Sequence, residues 1–467
     1  MFVGRKNELA KLEEAYRTKE FQMAVIYGRR RVGKTTLIGE FAKGKRTLFF
    51  TALEQANADN LADFSQAIAS FFDLPSDTRF GSWRAAIDFI SSRAAQERFV
   101  FVFDEFPYAV KREPSLPSVL QVAIDHSLKD TQCYIVLCGS SQGAMESDVL
   151  GSKSPLYGRR TLQMKLGPLG YLEAAEMLPW MGPDEAFRSY ACVGGVPYYL
   201  AQLKKGTSLR KNLAQLYFDT MGFLYREPEL LLRQELSEPA AYNSVLRAIA
   251  SGANRPKAIA DRTGIERSSL PGYLSTLTNL GIVERVVPFG ENPDRSKHAI
   301  YRIREALFDF WFRFVMPYVP TIEAGLGQAA ANAITEEDFS TYLGHHFERV
   351  CEEWIAIQAL SGSLPVAVVA TGSWWGTDPV EREQVDIDVI GADAKGKHII
   401  ACECKYRNTF DETETLRTLE QRASLVEDCT ADALFLFTKK PVSKGTRTKV
   451  DADSRLHTYC LKELYTQ

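Results

Sequence analysis

The chain has 467 residues, of which 45% are hydrophobic and 25% charged, and it carries a formal net charge of −3. A globular protein of this length needs more than one hydrophobic core, so roughly two to four domains are expected. The net charge excludes a globally basic nucleic-acid coat, although a single domain can still be locally basic. No apolar run approaches the ~20 residues that span a bilayer, so a membrane partner is not expected.

Eight cysteines are spread along the chain without a CxxC pair or a zinc-like spacing. Several lie inside apolar runs, where cysteine behaves as a small hydrophobic residue. Because the N-terminus is charged by residue 5 and lacks the features of an export signal, we expect reduced thiols and a cytoplasmic location.

The N-terminal region alternates apolar strands with helices. An amphipathic helix with Leu9, Leu12 and Tyr16 on one face comes first. The pattern then predicts strands over residues 21–27, 47–51, 99–103 and 134–138, separated by helices such as 60–72 and 82–96. Such alternation is typical of a parallel sheet with helices on both faces, which predicts an α/β fold for residues 1–168.

The segment GRRRVGKT, residues 28–35, follows an apolar strand and opens a helix, which is the context of a phosphate-binding loop. Its glycines let backbone N–H groups wrap phosphates, and the helix N-terminus adds partial positive charge. Lys34 is predicted to reach the β- and γ-phosphates of ATP, and Thr35 to ligate Mg²⁺. The predicted nucleotide-binding residues of the loop are Gly28, Arg29, Arg30, Arg31, Val32, Gly33, Lys34, Thr35 and Thr36.

An acidic pair, Asp104 and Glu105, ends the apolar strand FVFVF. At the carboxyl end of a parallel strand, such a pair faces the crevice where nucleotides bind. Asp104 is therefore the predicted Mg²⁺-side carboxylate, and Glu105 the predicted base that orients or deprotonates the attacking water. A helix N-cap has similar letters, but the loop upstream favours the catalytic interpretation.

Two further polar positions have open interpretations. Ser140, in VLCGSSQ (136–142), lies at a strand tip where its hydroxyl is able to touch the γ-phosphate, and the alternative is a turn with a helix cap. Arg159 and Arg160, in SPLYGRR, are candidates for an arginine that stabilises developing charge. The alternative for both arginines is an ordinary surface position.

The middle of the chain changes character twice. Residues 169–236 are predicted to be a wholly helical arm, and residues 306–341 a helical connector. Between them, residues 237–305 carry ten Lys/Arg and seven Asp/Glu. Predicted helices at 241–251, 256–263 and 267–280, followed by two strands, resemble a winged helix.

In a DNA-binding winged helix, the recognition helix enters the major groove. Arg267, Ser268 and Ser269 would begin that helix here, and Arg295 and Lys297 would lie at the wing tip. The alternative is a domain that packs beside the nucleotide without touching DNA.

Residues 342–467 are predicted to form a second, smaller α/β unit. Its strands are expected near 385–390, 398–404 and 433–437, with a helix at 412–427. Alternation places Asp386 and Asp388 on one strand face, and Glu403 and Lys405 on one face of the next strand.

If those two strands pair, their carboxylates converge, with Glu348 of the preceding helix nearby. Clustered carboxylates are costly unless a cation lies among them, and oxygen ligands suit Mg²⁺ or Mn²⁺. Glu348, Asp388 and Glu403 are therefore candidate metal ligands, and Asp388, Glu403 and Lys405 candidate catalytic residues. The alternative is a half-exposed sheet without a ligand.

Six N-terminal motifs resemble the archaeal-type ATPases of the STAND branch of AAA-related P-loop ATPases. They are FVGRKNEL (2–9), YGRRRVGKTTLI (27–38), VFDEF (102–106), LCGSS (137–141), SPLYGRR (154–160) and GGVPYYL (194–200). The resemblance implies that Val3 and Arg5 lie over the nucleotide base and that Pro197 contacts the adenine. A purely structural turn is the alternative for Pro197.

The C-terminal motifs resemble the PD-(D/E)xK restriction-endonuclease-like superfamily. Asp388, Glu403 and Lys405 match its motif, Glu348 matches its helix glutamate, and Ile387 departs from the motif's proline. The resemblance implies that Asp388 and Glu403 bind the metal while Lys405 orients or activates a water. The segment GSWWG (372–376) is typical of the domain that follows archaeal-type ATPases, and its tryptophans are interpreted as packing residues.

These patterns together predict an ATPase coupled to a metal-dependent nuclease that acts on DNA in genome defence, mobile-element biology or repair. One alternative is an ATP-controlled switch whose C-terminal domain does not cleave. Another is a DNA-binding regulator that uses the winged helix. Homo-oligomers and ATP-dependent assemblies are both open, since AAA-related ATPases often complete their site with a neighbour's arginine.

Overall fold

The computed structural model describes residues 2–466, which form two compact units. The first unit extends to Leu169 and takes in Val196–Tyr198, and the second comprises Gly170–Gly195 and the chain from Tyr199 onward. The predicted division into five domains is finer than this and stays a prediction. Across residues 2–466, no helix has the length and apolar character needed to cross a membrane.

A five-stranded parallel sheet forms the centre of the first unit. Its strands are β1 (Gln22–Tyr27), β2 (Thr47–Thr51), β3 (Val100–Asp104), β4 (Tyr134–Gly139) and β5 (Leu162–Lys165), in the order β2-β3-β4-β1-β5. The α/β prediction is confirmed here, and each of the four predicted strands lies within one residue of its observed bounds. The strand β5 was not predicted.

Helices cover both faces of this sheet. They are α1 (Lys6–Arg17), α2 (Lys34–Ala42), α3 (Asn57–Phe71), α4 (Trp83–Ala94), α5 (Phe106–Arg112), α6 (Leu116–His126) and α7 (Gln142–Ala144). Met23 and Val25 of β1 join the aromatic core beneath α3 and α4, whereas Ala24 and Ile26 join the core beneath α1 and α2. Burial on both faces explains why the strands are unbroken apolar runs.

The second unit begins with the predicted helical region. Its helices are α8 (Tyr171–Met177), α9 (Pro183–Val193), α10 (Pro197–Leu200, which starts in the first unit), α11 (Leu209–Tyr217) and α12 (Glu227–Glu235). A winged helix follows, with α13 (Pro239–Ala250), α14 (Pro256–Thr263), α15 (Leu270–Asn279) and the antiparallel strands β6 (Val283–Val286) and β7 (Ile300–Ile303).

The helix α15, which is the predicted recognition helix, is shorter than expected. It starts at Leu270, with proline next in the chain, rather than at residue 267. Proline favours the first helical turn because its missing N–H has no helical partner there. Arg267, Ser268 and Ser269 therefore precede the helix instead of forming its first turn, which corrects that prediction.

The rest of the second unit contains a connector and a second sheet. The connector helices are α16 (Ala306–Phe310), α17 (Val319–Thr321) and α18 (Gly327–Asn332), and a long helix α19 (Glu336–Ser361) follows. The sheet strands are β8 (Ala370–Thr377), β9 (Gln384–Ala392), β10 (His398–Lys405), β11 (Thr430–Thr438) and β12 (Leu456–Cys460). Three short helices complete the unit: α20 (Glu412–Ala423), α21 (Lys444–Ala452) and α22 (Leu461–Leu464).

This second sheet is mixed, with the order β12-β11-β10-β9-β8. The strands β10, β11 and β12 are parallel, whereas β8, β9 and β10 are antiparallel. The predicted strands near 385–390, 398–404 and 433–437 correspond to β9, β10 and β11. The predicted helix at 412–427 ends earlier, at Ala423, and β8, β12, α21 and α22 were not predicted.

Candidate nucleotide-binding site

The loop between β1 and α2 takes a path that requires glycine at both ends. Gly28 has a φ of +150°, and an added Cβ there would collide with the backbone carbonyl oxygen of Leu166. Gly33 has a φ of +92° and lies directly before α2. Positive φ values of this kind are costly for residues with a Cβ. The backbone of residues 28–33 therefore depends on both glycines.

Lys34 and Thr35 occupy the first turn of α2. The Lys34 side chain is buried, and its Nζ donates hydrogen bonds to the carbonyl oxygens of Gly28 (2.8 Å) and Arg29 (3.0 Å). Thr35 Oγ1 donates to Asp104 Oδ2 at 3.2 Å, and Asp104 is also buried. A hydroxyl and a carboxylate are hard oxygen donors, so this pair fits a Mg²⁺ ion.

Glu105 is held at the end of β3 by the tip of β4. Its Oε2 accepts hydrogen bonds from the Ser140 backbone N–H (3.1 Å) and the Ser140 hydroxyl (2.9 Å). A Cβ on Gly139 would lie 2.7 Å from Pro107 Cδ, so glycine is what allows the strand tip to approach α5. Glu105 itself has a left-handed φ of 50°, a conformation that costs roughly 1–3 kcal/mol for a non-glycine residue.

This arrangement gives Ser140 a specific position. The sequence predicted either a contact with the γ-phosphate or a turn and helix cap. In the structure the hydroxyl contacts the carboxylate of the predicted base Glu105, and the Ser140 side chain is buried. Strained backbone of the kind seen at Glu105 is frequent at functional sites.

Arg5 and the segment Val196–Tyr198 contact the loop from other parts of the first unit. The Arg5 guanidinium donates to the carbonyl oxygens of Val32 (3.4 Å) and Gly167, and it pairs with Glu8 (3.0 Å). Val3, partly buried, precedes Arg5 by two residues.

Pro197 and Tyr198 lie against two residues of the loop itself. Pro197 Cγ is 3.8 Å from the position that a Cβ on Gly33 would take. The Arg31 guanidinium lies 5.3 Å from the centre of the Tyr198 ring. Sequence reasoning included Pro197 but missed Tyr198, although the GGVPYYL motif contains it.

The remaining predicted loop residues have varied environments. Arg29 and Val32 are buried, whereas Thr35 and Thr36 are exposed. The Arg30 guanidinium donates to the Tyr108 hydroxyl on α5.

Arg159 is engaged in a bidentate ion pair. Its Nε and Nη2 donate to Asp125 Oδ1 (2.9 Å) and Oδ2 (2.7 Å) on α6. The Arg159 hydrogen bond, ahead of the opposing effect of burial, lowers the pKa of Asp125. A charge-stabilising role for Arg159 would require this pair to open. Arg160 lies 5.9 Å from the centre of the Tyr157 ring.

The second sheet contains the other predicted constellation. Val389 of β9 is paired with Cys402 of β10, and the two strands are antiparallel. The next position along this pair of strands therefore brings Asp388 of β9 beside Glu403 of β10. Asp388 Oδ2 accepts a hydrogen bond from the Cys404 N–H at 2.7 Å. Glu403 is buried and pairs with the ammonium of Lys405.

A second cation, which sequence reasoning missed, also approaches Glu403. Arg422 Nη1, from α20, lies 3.7 Å from Glu403 Oε2 and donates to the Asp386 carbonyl oxygen at 3.0 Å. The Asp386 side chain itself is largely exposed and lies 3.5 Å from Arg422. Asp386 therefore faces Arg422 and solvent.

The carboxylates of this sheet affect one another. Burial and the charges of Glu403 and Glu348 raise the pKa of Asp388 well above its usual value. Burial alone would lower the pKa of Lys405, but the charge and hydrogen bond of Glu403 outweigh burial and raise it.

The predicted metal ligands are not assembled as a metal centre. Within residues 2–466, no three His, Cys, Asp or Glu side chains are grouped so that they could hold a metal ion. Both oxygens of Glu403 face cations, and Glu348 Oε1 lies 3.4 Å from His345. The set Glu348, Asp388 and Glu403 therefore does not fit Mg²⁺ or Mn²⁺ in this arrangement.

Three segments of the chain match known families. Residues 2–203 match an ATPase domain predominantly from Archaea, and residues 244–286 match the IclR helix-turn-helix domain. Residues 311–417 match a family described as Archaea bacterial proteins of unknown function. The chain thus combines an archaeal-type ATPase domain, an IclR-like helix-turn-helix and a C-terminal domain of that third family.

Two solved structures align with parts of this chain. The Walker-type ATPase PABY2304 of Pyrococcus abyssi aligns with 67% of this chain and 96% of its own, at 19% identity and a TM-score of 0.49. Cdc6p from Pyrobaculum aerophilum aligns with 70% of this chain and 96% of its own, at 13% identity and a TM-score of 0.35.

Two curated proteins of Methanocaldococcus jannaschii are similar in sequence. The uncharacterized ATP-binding protein MJ0423 is 48% identical over 46 residues, which are 10% of this chain and 78% of that protein. The uncharacterized protein MJECL04 is 30% identical over 430 residues, which are 91% of this chain and 92% of that protein. At that identity and coverage, the chain belongs to the same family as MJECL04.

Proposed function

We propose that this chain binds Mg-ATP at residues 28–36 and hydrolyses it, and that the ATPase cycle controls a C-terminal unit that acts on DNA. The observation that carries the ATPase proposal is the convergence of two pairs at the strand ends. Thr35 bonds to Asp104, and Glu105, the next residue, bonds to Ser140. Placement in the STAND branch stays a prediction from the motifs.

Each side chain has a defined task in this proposal. The Lys34 ammonium leaves the carbonyl oxygens of the loop and binds the β- and γ-phosphates. Thr35 and Asp104 would hold Mg²⁺, which neutralises phosphate charge. Glu105 orients a water molecule and accepts its proton as the water attacks the γ-phosphate. Ser140 acts as a positioning residue because it fixes the Glu105 carboxylate.

Ser140→Ala is expected to lower kcat for ATP hydrolysis while leaving KM for ATP nearly unchanged. The substitution removes one hydrogen bond to a charged group, worth about 1.5–3 kcal/mol, so the expected loss is roughly tenfold to a hundredfold. Steady-state phosphate release measures both constants. Ser141→Ala is the matched control, since Ser141 is the exposed neighbour. An unchanged kcat in Ser140→Ala would contradict the positioning role.

Pro197 and Tyr198 are proposed to sense nucleotide occupancy. They contact Gly33 and Arg31, and the chain continues from them into the second unit. A shift of the loop on nucleotide binding therefore acts on residues that lead directly into the helical region. The molecular mass of the chain in solution, measured with and without ATP, shows whether ATP binding brings a second molecule to the site.

For the C-terminal sheet, the leading prediction from the sequence is metal-dependent DNA cleavage by Asp388, Glu403 and Lys405. The alternative is a domain that binds DNA or a partner without cleaving. The alternative is favoured by the two cations on Glu403, because they compete with a metal ion for its oxygens. Metal-dependent cleavage would require Glu403 to exchange these cations for a metal ion.

A cleavage assay separates these two functions. If the domain is a nuclease, DNA is cleaved in Mg²⁺ or Mn²⁺, and Lys405→Ala reduces cleavage by about 100-fold or more without altering ATP hydrolysis. Lys397→Ala is the control, because this exposed lysine lies just before β10, at the opposite end from Lys405. Absence of cleavage by the wild type on single-stranded, duplex and branched DNA would contradict the nuclease hypothesis.

A further inference from the structure

One short segment after the strand β11 carries positive charge only. Residues 439–449, KKPVSKGTRTK, contain five Lys or Arg and no Asp or Glu, in a chain with a net charge of −3. We call these residues the basic segment. It connects β11 to α21 and includes most of α21.

The basic segment begins beside the candidate catalytic lysine. The strands β10 and β11 are parallel, and Lys405 pairs with Thr438 at their carboxyl ends. The Lys439 N–H donates to the Lys405 carbonyl oxygen at 3.1 Å. The start of the basic segment therefore lies at the same sheet edge as Lys405, and Arg407 follows β10 at that edge.

The path of the basic segment is fixed by polar contacts. Thr438, a buried residue, donates from its hydroxyl to the Lys440 carbonyl oxygen at 2.6 Å. The Ser443 N–H and hydroxyl both donate to Glu412 on α20, at 3.0 and 2.7 Å. Ser443 also caps α21 by accepting from the Thr446 N–H. These contacts fix the backbone that carries Lys440 and Lys444.

Three cations of the basic segment already contact other side chains of the protein. Lys439 lies 3.8 Å from Asp184 and 4.6 Å from the centre of the Tyr406 ring. Lys449 donates to the Thr413 hydroxyl at 3.0 Å. Arg447 lies 3.5 Å from Asp451.

Among the cations that follow β10 and β11, three are exposed and form no ion pair with an acidic side chain of residues 2–466. They are Arg407, Lys440 and Lys444. Exposed cations that are not neutralised by the protein are the groups that bind phosphates and release counterions from nucleic acid. All three lie in segments that follow the carboxyl ends of β10 and β11, the sheet edge where Lys405 lies.

The winged helix offers a weaker candidate surface for binding the phosphates of nucleic acid. Its recognition helix α15 contains no Lys or Arg, and Arg267, just before it, pairs with Asp261 at 3.1 Å. The β6–β7 wing is partly engaged, because the Phe289 N–H donates to the Ser373 carbonyl oxygen of β8 at 2.8 Å. Arg295 and Lys297 remain exposed in the wing loop.

We infer that DNA binds to this chain along the carboxyl edge of the C-terminal sheet, with its backbone phosphates on Arg407, Lys440 and Lys444. This inference rests on the proposal that the C-terminal unit acts on DNA, and it assigns the contact to this sheet edge instead of the recognition helix. Contacts to phosphates carry no base information, so binding at this surface is independent of sequence. The bound strand lies across Lys405, whether or not the sheet cleaves it.

DNA binding by the full chain in EDTA tests the inference without requiring cleavage or ATP hydrolysis. Fluorescence anisotropy is measured on a duplex and on a single strand of one mixed sequence, across a range of salt concentrations. The double variant Lys440→Ala/Lys444→Ala removes two phosphate contacts. The slope of log K against log salt is negative, and its magnitude is expected to fall by about 1.8 for the duplex and by about 1.4 for the single strand.

Two control variants locate the surface. Lys395→Ala/Lys397→Ala removes two exposed lysines at the opposite end of β10, and Arg295→Ala/Lys297→Ala removes two cations of the wing. Both controls are expected to keep the wild-type slope. The inference is overturned if the wild type binds neither DNA, or if Lys440→Ala/Lys444→Ala keeps the wild-type slope, whether or not the wing variant loses slope. Failure to cleave DNA alters neither measurement.

Discussion

Lys34→Ala is expected to abolish ATP binding while leaving the chain folded. The ammonium makes charge-assisted hydrogen bonds to the β- and γ-phosphates, each worth about 1.5–3 kcal/mol, so the loss is on the order of 100-fold in affinity or more. Isothermal titration calorimetry with a slowly hydrolysed ATP analogue measures the affinity. ATP hydrolysis is expected to disappear with it.

A matched variant separates loss of the phosphate contact from general damage. Lys43→Ala removes an exposed lysine just beyond α2 that pairs with Glu40 at 2.6 Å. Its ATP affinity is expected to equal that of the wild type. Because Lys34 bonds to two buried carbonyl oxygens, thermal unfolding without nucleotide checks that the variant folds. Wild-type affinity in folded Lys34→Ala would refute residues 28–36 as the ATP site.

Glu105→Gln is expected to bind ATP normally and to lose hydrolysis by a factor of about 10² to 10⁴. The amide oxygen still accepts the hydrogen bonds from Ser140, so the side chain keeps its position, but it no longer accepts a proton from water. Calorimetry measures ATP binding, and phosphate release in a single turnover measures the chemical step.

The matched control for this variant lies at the other end of the same helix. Glu113→Gln changes a glutamate just after α5 that accepts hydrogen bonds from Asn57 (3.1 Å) and Ser115 (2.6 Å). It is expected to hydrolyse ATP at the wild-type rate. Equal hydrolysis by Glu105→Gln and the wild type would assign the base to another residue.

The first sheet could be predicted from the sequence because its strands are buried on both faces. Each one is a short unbroken apolar run with a clear end, such as residues 99–103, and the glycine-rich loop marks its own position between strand and helix. Asp104 and Glu105 follow from the same rule, since polar residues at the carboxyl ends of parallel strands share one edge.

Two strands lack such a signal. The strand β5 has only four residues, of which Met164 alone is buried. The strand β8 contains two glycines and a serine and has no residue that is fully buried. Pairing with β1 and β9 makes these segments strands, and that contribution of tertiary structure is not encoded in local propensity.

Contacts between distant segments account for the rest of what the sequence did not reveal. Ser140 and Glu105 are 35 residues apart, and Arg159 and Asp125 are 34 apart, so no spacing rule links them. The approach of Arg422 to Glu403 depends on how α20 packs on the sheet. The motif Asp388, Glu403 and Lys405 was visible in the sequence, but the cations that occupy Glu403 were not.

The most direct test of the central claim is phosphate release from ATP by the wild-type chain, measured with Mg²⁺ and again with EDTA, beside Glu105→Gln. We predict release by the wild type in Mg²⁺ only, and none above background from Glu105→Gln. Two results would contradict an ATPase built on Lys34, Thr35, Asp104 and Glu105. One is that the wild type binds ATP but releases no phosphate. The other is that phosphate release persists in EDTA and also in Glu105→Gln.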